Sequence, residues 1–590
     1  MNFLSIHLGH NATVALSTKG KIICVLSEER STRVKNFTGF PVNSIKIIMS
    51  KYLDGSLAKI DQFVFIDKTG LALNYIKQHH YKNHKFGAYG WKTKRKFLSN
   101  SKIYHFFGSG ILNPIVKIRR YLTKLVNRSI NKKVILQKIF EIHPDIKFDL
   151  KKAIFFDHHE MHALSHRYFF DTDETKHLIF TMDGEGDNLS STVNLFDRGA
   201  ATKISENSKD FSLGYFYAEV TKFLGLKAFE HEFKVMGMSP YSNKKDIERI
   251  LDNLNDLITI NYKGQFRSKV VASLFRYEIE KIFKFEKFEN ICGATQLFTE
   301  RLILKWVKYW VKKTSIEKLI LSGGVFMNIK ACKEISELKE IKEIIVVPSA
   351  SDESLPFGAL YKINKLHDQK INLVNNLYLG NSDRGNIKKF IETIDRNKFD
   401  IKEFKNFRYL NEEVSKLLSE NNIVARCVGR EEFGARALGN RSILCNPSKL
   451  ENIKIINNAI KKRDYWMPFS PSILKDDSER YFINPKKVDA KFMTCLFDST
   501  DLAKEHLISA VHPIDYTMRP QIVDKENNEE YYDLIFKFKQ ISGIGGLLNT
   551  SFNLHGEPNV SSYKDAINTV ENSKLKYLVL ENYLIEKIIN

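Results

Sequence analysis

The feature that most limits how this chain can fold is its N-terminal pattern. Met1–His7 is apolar and alternating, Gly9-His10-Asn11-Ala12 reads as a turn, and Thr13-Val14-Ala15-Leu16 resumes as a strand. Lys19-Gly20 turns again into Ile22-Ile23-Cys24-Val25-Leu26. Much farther along, Lys318-Leu319-Ile320-Leu321 reads as a buried strand that runs into Ser322-Gly323-Gly324-Val325-Phe326-Met327-Asn328. Paired glycines let backbone N–H groups approach a phosphate, and a helix N-terminus after them adds its dipole. A tight strand-to-helix turn with no ligand fits the same residues.

The 590 residues leave room for two to four domains, at about 150 residues each. With 43% hydrophobic and 27% charged residues the balance is that of an ordinary globular protein. The six cysteines are scattered without a Cys-x-x-Cys pair, which argues against a zinc ribbon or a disulfide framework. Met1–Gly20 lacks the basic start and cleavage site of a secretion signal. No run approaches the roughly 18 apolar residues of a membrane span, so a cytoplasmic location is expected. The net charge of +22 is unevenly spread: residues 81–152 hold 18 Lys/Arg against 3 Asp/Glu, with Tyr89, Trp91 and Phe97 among them. Such a segment can grip a nucleic acid, an anionic glycolipid or a nucleotide-linked substrate. A helical insertion with a solvated Lys-rich face fits it at least as well.

Chemistry enters with Asp157-His158-His159-Glu160-Met161-His162. On a helix, His158 and His162 face one way, one turn apart, where they can share a cation. Asp183, in Asp183-Gly184-Glu185-Gly186-Asp187, and Asp352, in Ser351-Asp352-Glu353-Ser354, can add hard oxygen ligands. Two imidazoles with one or two carboxylates suit Fe(II), Mn(II) or Zn(II). The same spacing alone also fits a polar helix face.

A dozen motifs in register resemble one family, the NodU/CmcH/TobZ O-carbamoyltransferases. They run from His10-Asn11-Ala12 and Ser27-Glu28-Glu29-Arg30 through the His158 and Asp183 segments to Lys234-Val235-Met236-Gly237-Met238. They continue in Gly429–Leu444, Ile460–Asp464, Pro468-Phe469-Ser470-Pro471, His512–Val523 and Leu548–Pro558. The resemblance implies a mixed α/β protein with two catalytic domains. Residues 1–370 form an actin-like, sugar-kinase-like domain, with the basic insertion at 81–152. Residues 371–590 form a YrdC-like twisted α/β domain. The second domain joins carbamoyl phosphate to ATP, with Mg2+, as carbamoyl-adenylate. The first holds a metal, iron by family precedent, and passes the carbamoyl group to an acceptor hydroxyl.

Residue roles follow from the same resemblance. His158, His162, Asp183 and Asp352 hold the metal, and Gly323, Gly324 and Asn328 hold the adenylate. Lys234 neutralises its phosphate, and His10 and Glu28 bind the acceptor or take its proton. Arg436, Arg441, Lys461, Arg463 and Arg519 supply fixed positive charge for ATP and carbamoyl phosphate, with Asn549 and Ser551 adding neutral hydrogen bonds. Five positions depart from the family pattern: Asn11 for a usual Asp, Ala435 for Pro, Met467 for Arg, and Ser351 and Ser354 for glycines. The acceptor is expected to be a small molecule or glycan with a free hydroxyl, or a hydroxylated nucleobase; a homodimer is the family's implication. Two other readings share some of the motifs: a tRNA threonylcarbamoyl-type enzyme, and a non-catalytic nucleic-acid or polyanion binder.

Overall fold

The computed structural model describes residues 1–70 and 132–588, so most of the basic segment 81–152 lies outside the described residues. The N-terminal meander forms as expected: β1 (Asn2–His7), β2 (Thr13–Thr18) and β3 (Lys21–Ser27) are successively antiparallel. β4 (Gln62–Ile66) and β5 (Ala153–Phe156) then run parallel to β1, in the order β3-β2-β1-β4-β5. A second sheet repeats this plan. Its meander is β6 (His177–Gly186), β7 (Leu189–Asp197) and β8 (Ala200–Ser208). A small hairpin intervenes, β9 (Ile258–Ile260) with β10 (Phe266–Ser268). Then β11 (Lys318–Ser322) and β12 (Glu343–Val346) add in parallel, giving β12-β11-β6-β7-β8. Two copies of one topology form the actin-like half of the mixed α/β fold.

Both faces of these sheets are buried, which explains their near-continuous apolar runs. Along β6, Leu178 and Phe180 face one core while Ile179 faces another. The first core is closed by the long helix Phe288–Thr314, through Trp306, Phe298 and Val307. The second lies between the two sheets and contains the helix Leu355–Leu366. Pro356 opens that helix, where its missing N–H costs nothing. Gly358 lies flat on the Met161 carbonyl; a Cβ there would stand 2.0 Å from the oxygen. This contact presses the helix that begins just after Asp352 against the helix that carries His158 and His162.

The C-terminal half is one twisted mixed sheet, the α/β domain expected there. Its members are β13 (Phe399–Glu403), β14 (Val424–Cys427), β15 (Arg441–Cys445) and β16 (Ser470–Leu474). After the hairpin of β17 (Phe497–Asp498) and β18 (Thr517–Met518) come β19 (Gln521–Val523), β20 (Gly546–Ser551), β21 (Tyr577–Leu580) and β22 (Tyr583–Lys587). The order is β13-β22-β21-β14-β15-β20-β16-β19. The halves are joined by side chains of the Ser27–Lys35 motif. Arg30 donates to the carbonyls of Glu432 and Gly434, and Arg33 to those of Asn559 and Pro558 and to the Glu557 carboxylate. Among the described residues no helix is long and apolar enough to cross a membrane.

Candidate active site

The helix His158–Leu164 is only two turns long, and its start is fixed twice. Asp157 caps it by accepting from the Glu160 N–H at 3.1 Å, and Asp187 accepts from the His158 N–H at 2.8 Å. Local geometry then puts both imidazoles on one face, with ring centroids 4.8 Å apart. Asp183 leaves the end of β6 and Asp352 precedes the helix Leu355–Leu366, so four separate chain positions meet. His162 Nε2 is 3.0 Å from Asp183 Oδ2 and 3.4 Å from Asp352 Oδ1; His158 Nε2 is 3.9 and 3.6 Å from the same atoms.

The four residues present ligand atoms within 4.8 Å of one another. His158 Nε2, His162 Nε2 and Asp352 Oδ1 are buried and make no hydrogen bond among the described residues. Buried polar atoms are normally satisfied, and three orphans facing one point fit a cation. Burial opposes a charge on His158, but Asp352 and Asp183 outweigh it and raise the imidazole to about 9. Ser322 Oγ lies 3.4 Å from His162 Nδ1, the outer partner that orients a ligating ring.

The second group comes from the other half. A single π turn, Asn457–Lys461, ends at Lys462 in the left-handed region (φ +46) and delivers the Lys461 ammonium to Ser551 and Asn553. Arg463 donates to Thr550 Oγ1 at 3.0 Å and lies over the Phe469 ring, while Arg519 donates to Ser470 Oγ at 3.0 Å. Among the described residues none of Arg436, Lys461, Arg463 and Arg519 forms an ion pair with a carboxylate. Burial first, and then the neighbouring guanidinium groups, hold Arg519 well below the usual range; Arg463 is lowered to about 10 by burial and Arg436. Clustered, largely half-buried like charges without counter-ions among the described residues are costly, and such a cluster suits an anion.

Both groups line one cavity of about 3150 Å3, which also takes in His10, Lys234 and Asn328. Lys234 is paired with Asp464 at 2.9 Å. His10 donates from Nε2 to the Phe229 carbonyl at 3.0 Å, which leaves Nδ1 as the basic nitrogen. Asn328 caps the helix Ile329–Glu337 and exchanges amide hydrogen bonds with Gln296, which in turn donates to Glu300 at 2.7 Å.

Glu300 provides a pH test of this network. Burial raises its carboxyl from 4.5 to about 7. The folded state therefore binds the proton more tightly, and stability falls as pH rises from about 4.5 through 7. Glu300→Gln is expected to match the wild type near pH 4 or below, under the unfolded-state value of 4.5. Above pH 7.5 it should be more stable by about 2–3 kcal/mol, read from urea midpoints at both pH values.

Several expected site residues are placed elsewhere. Glu28 accepts from the Asn43 N–H, the Ser44 N–H and the Ser44 hydroxyl at 2.7–2.9 Å, and so caps the helix Val42–Tyr52. It does not line the cavity. Glu28→Ala should cost about 2–3 kcal/mol of stability by urea denaturation, with transfer per folded molecule unchanged. Loss of transfer in a folded variant would restore its catalytic reading. Arg441 is spent on the carbonyls of Val428, Gly429, Asn440 and Ser561, and Asn549 ties β20 to Ala437, Ser472 and Gln521; neither reaches the cavity. The N–H groups of Gly323 and Gly324 are spent on the Ala350 carbonyl and on Asp183 Oδ2. With φ +102 and Met182 O 2.3 Å from any Cβ, Gly323 shapes the turn that holds the Asp183 carboxylate. Among the cavity residues without an assigned role are Lys35, lowered by burial, and His7, 3.6 Å from Asp352. His7 ends the strand that leads to His10, the one local signal that could have found it.

Residues 3–360 match the family model of the carbamoyltransferase N-terminus, and residues 415–587 that of the carbamoyltransferase C-terminus. The chain belongs to the carbamoyltransferase family. This carbamoyltransferase is similar to an uncharacterised protein of Methanocaldococcus jannaschii, 31% identical over 597 residues and 98% of each chain. It is 26% identical over 588 residues to nodulation protein NolNO of Sinorhizobium fredii, covering 98% of this chain and 79% of that one. Over 290 residues it is 24% identical to 3'-hydroxymethylcephem-O-carbamoyltransferase of Streptomyces clavuligerus, covering 49% and 52%. Among solved structures, full-length HypF with bound phosphate and nucleotide superposes at a TM-score of 0.35 and 12% identity, over 63% of this carbamoyltransferase and 56% of HypF.

Proposed function

We propose that this carbamoyltransferase makes carbamoyl-adenylate from carbamoyl phosphate and ATP, and then passes the carbamoyl group to an acceptor hydroxyl. The observation that carries the reading is one cavity shared by an unpaired cation cluster and a two-histidine, two-aspartate group. The work divides between residues 371–590, which form the adenylate, and residues 1–370, which transfer it. Atom balance sets the first step. Water hydrolyses carbamoyl phosphate to carbamate and inorganic phosphate, and a carbamate oxygen then attacks the α-phosphorus of ATP and displaces pyrophosphate. Arg436, Lys461, Arg463 and Arg519 offset the charge as these polyanions meet.

In the first half, His158, His162, Asp183 and Asp352 would hold a divalent ion, Fe(II) by family precedent with Mn(II) or Zn(II) as alternatives. When bound it supplies a Lewis acid that polarises an oxygen of the intermediate. Lys234, steadied by Asp464, faces the intermediate's phosphate. His10 takes the acceptor proton on Nδ1 as the hydroxyl attacks the carbamoyl carbon and AMP leaves. The S. clavuligerus relative is named for an O-carbamoylation of a hydroxymethyl group, and a small-molecule or glycan hydroxyl is the acceptor class carried over here.

The test is pyrophosphate release by the metal-loaded protein. Release that needs both ATP and carbamoyl phosphate is the expected result. No release from folded protein, with or without candidate acceptors, would sink the adenylate step.

A further inference from the structure

His7 is 3% exposed, at the end of β1. Its Nε2 donates to the His10 carbonyl at 3.0 Å and lies 3.6 Å from Asp352 Oδ2. Asp352's other oxygen, Oδ1, is the one turned to His158 and His162. The Nδ1 of His7 is buried and makes no hydrogen bond among the described residues. A packing residue would not need a buried nitrogen left unsatisfied. Gly9 crosses the ring so closely that a Cβ would stand 3.1 Å from it. Asn11, at φ +59, adds a second tie in the same direction, donating to Glu353 Oε2 at 3.1 Å. Glu353 is itself buried, so an Asp at position 11 would set two carboxylates against each other.

We infer that His7 is a positioning residue that holds the Asp352 carboxylate in its ligating orientation and ties it to the turn bearing His10. The inference rests on the metal reading above and deepens it. An outer partner of this kind fixes which oxygen faces the ion, and its loss weakens the metal by about 10–100-fold. The one Nε2–H is donated to the His10 carbonyl and leans on Asp352 Oδ2 at 3.6 Å as a longer polar contact, so it bridges the two; the amide of a glutamine reproduces such a donor and alanine or leucine does not.

The experiment measures Mn(II) affinity by competition with a chelator, on full-length wild type and on His7→Ala, His7→Leu and His7→Gln. Leucine keeps the volume in case alanine does not fold. Expected are a loss of about 10–100-fold in the alanine and leucine variants and affinity within about threefold of wild type in the glutamine variant. Equal affinity in all folded variants, or a glutamine variant as weak as the leucine one, would overturn the role of His7. Wild type that binds no Mn(II) would instead overturn the metal reading, and the role of His7 with it. Pyrophosphate release should stay unchanged throughout, because the cation cluster is in the other half.

Discussion

Arg519→Ala is expected to lower carbamoyl-phosphate-dependent pyrophosphate release by about 100–1000-fold while leaving the fold intact or slightly more stable. The two effects have one cause. Arg519 is half-buried beside Arg436 and Arg463; among the described residues its only hydrogen-bond acceptor is the Ser470 hydroxyl and no carboxylate pairs with it. Its charge is therefore a cost to the empty protein that is relieved when an anion arrives. Removing it takes away repulsion in the folded state and takes away stabilisation in the transition state, where charge is concentrated between two polyanions. The measurement is pyrophosphate release together with a thermal midpoint. A large loss of stability with unchanged release per folded molecule would make Arg519 structural. Arg441→Ala is the contrast. It breaks hydrogen bonds to four backbone carbonyls and should act through stability first.

His162→Ala should abolish stoichiometric metal binding and carbamoyl transfer while sparing pyrophosphate release. His162 is fully buried, and its Nε2 is the nitrogen closest to both carboxylates, at 3.0 and 3.4 Å. Loss of an outer partner costs about 10–100-fold in affinity, and loss of the ligand itself should exceed that. Elemental analysis of the purified variant gives the first readout, and carbamoyl-adenylate accumulating without transfer gives the second. Metal content equal to wild type would remove His162 from the ligand set. Loss of pyrophosphate release along with transfer would show that the two halves do not work as separable steps.

The parts of the site that were legible from the chain alone rest on short-range geometry. His158 and His162 share a face because a helix repeats in under four residues, and Asp157 supplies the cap that starts it. The N-terminal meander was legible because alternating apolar residues and small-residue turns fix strand pairing locally. Misassignments arose where a group's partners come from far away. Gly323 and Gly324 have the composition of a phosphate loop, yet their N–H groups meet Ala350 and Asp183. Glu28 sits in a charged motif and looks catalytic until Asn43 and Ser44 fold over it. Arg441 and Arg519 are alike as residues in a motif, and only their surroundings separate a guanidinium bound to four carbonyls from one left facing a cavity.

Which residues are chemically able to bind a metal, a phosphate or a proton was therefore set by residue type and local spacing. Tertiary packing decided which of them meet. Asp352 joins the histidines where Gly358 lets its helix lie on the Met161 carbonyl, and Asp183 reaches them from β6. The two-histidine, two-aspartate group and the cation cluster face one cavity because shared apolar clusters, together with Arg30 and Arg33, hold the two halves against each other. Hydrogen bonds and ion pairs act over a few ångströms of space, whatever the separation along the chain, so a residue's role is complete only when the fold has chosen its neighbours.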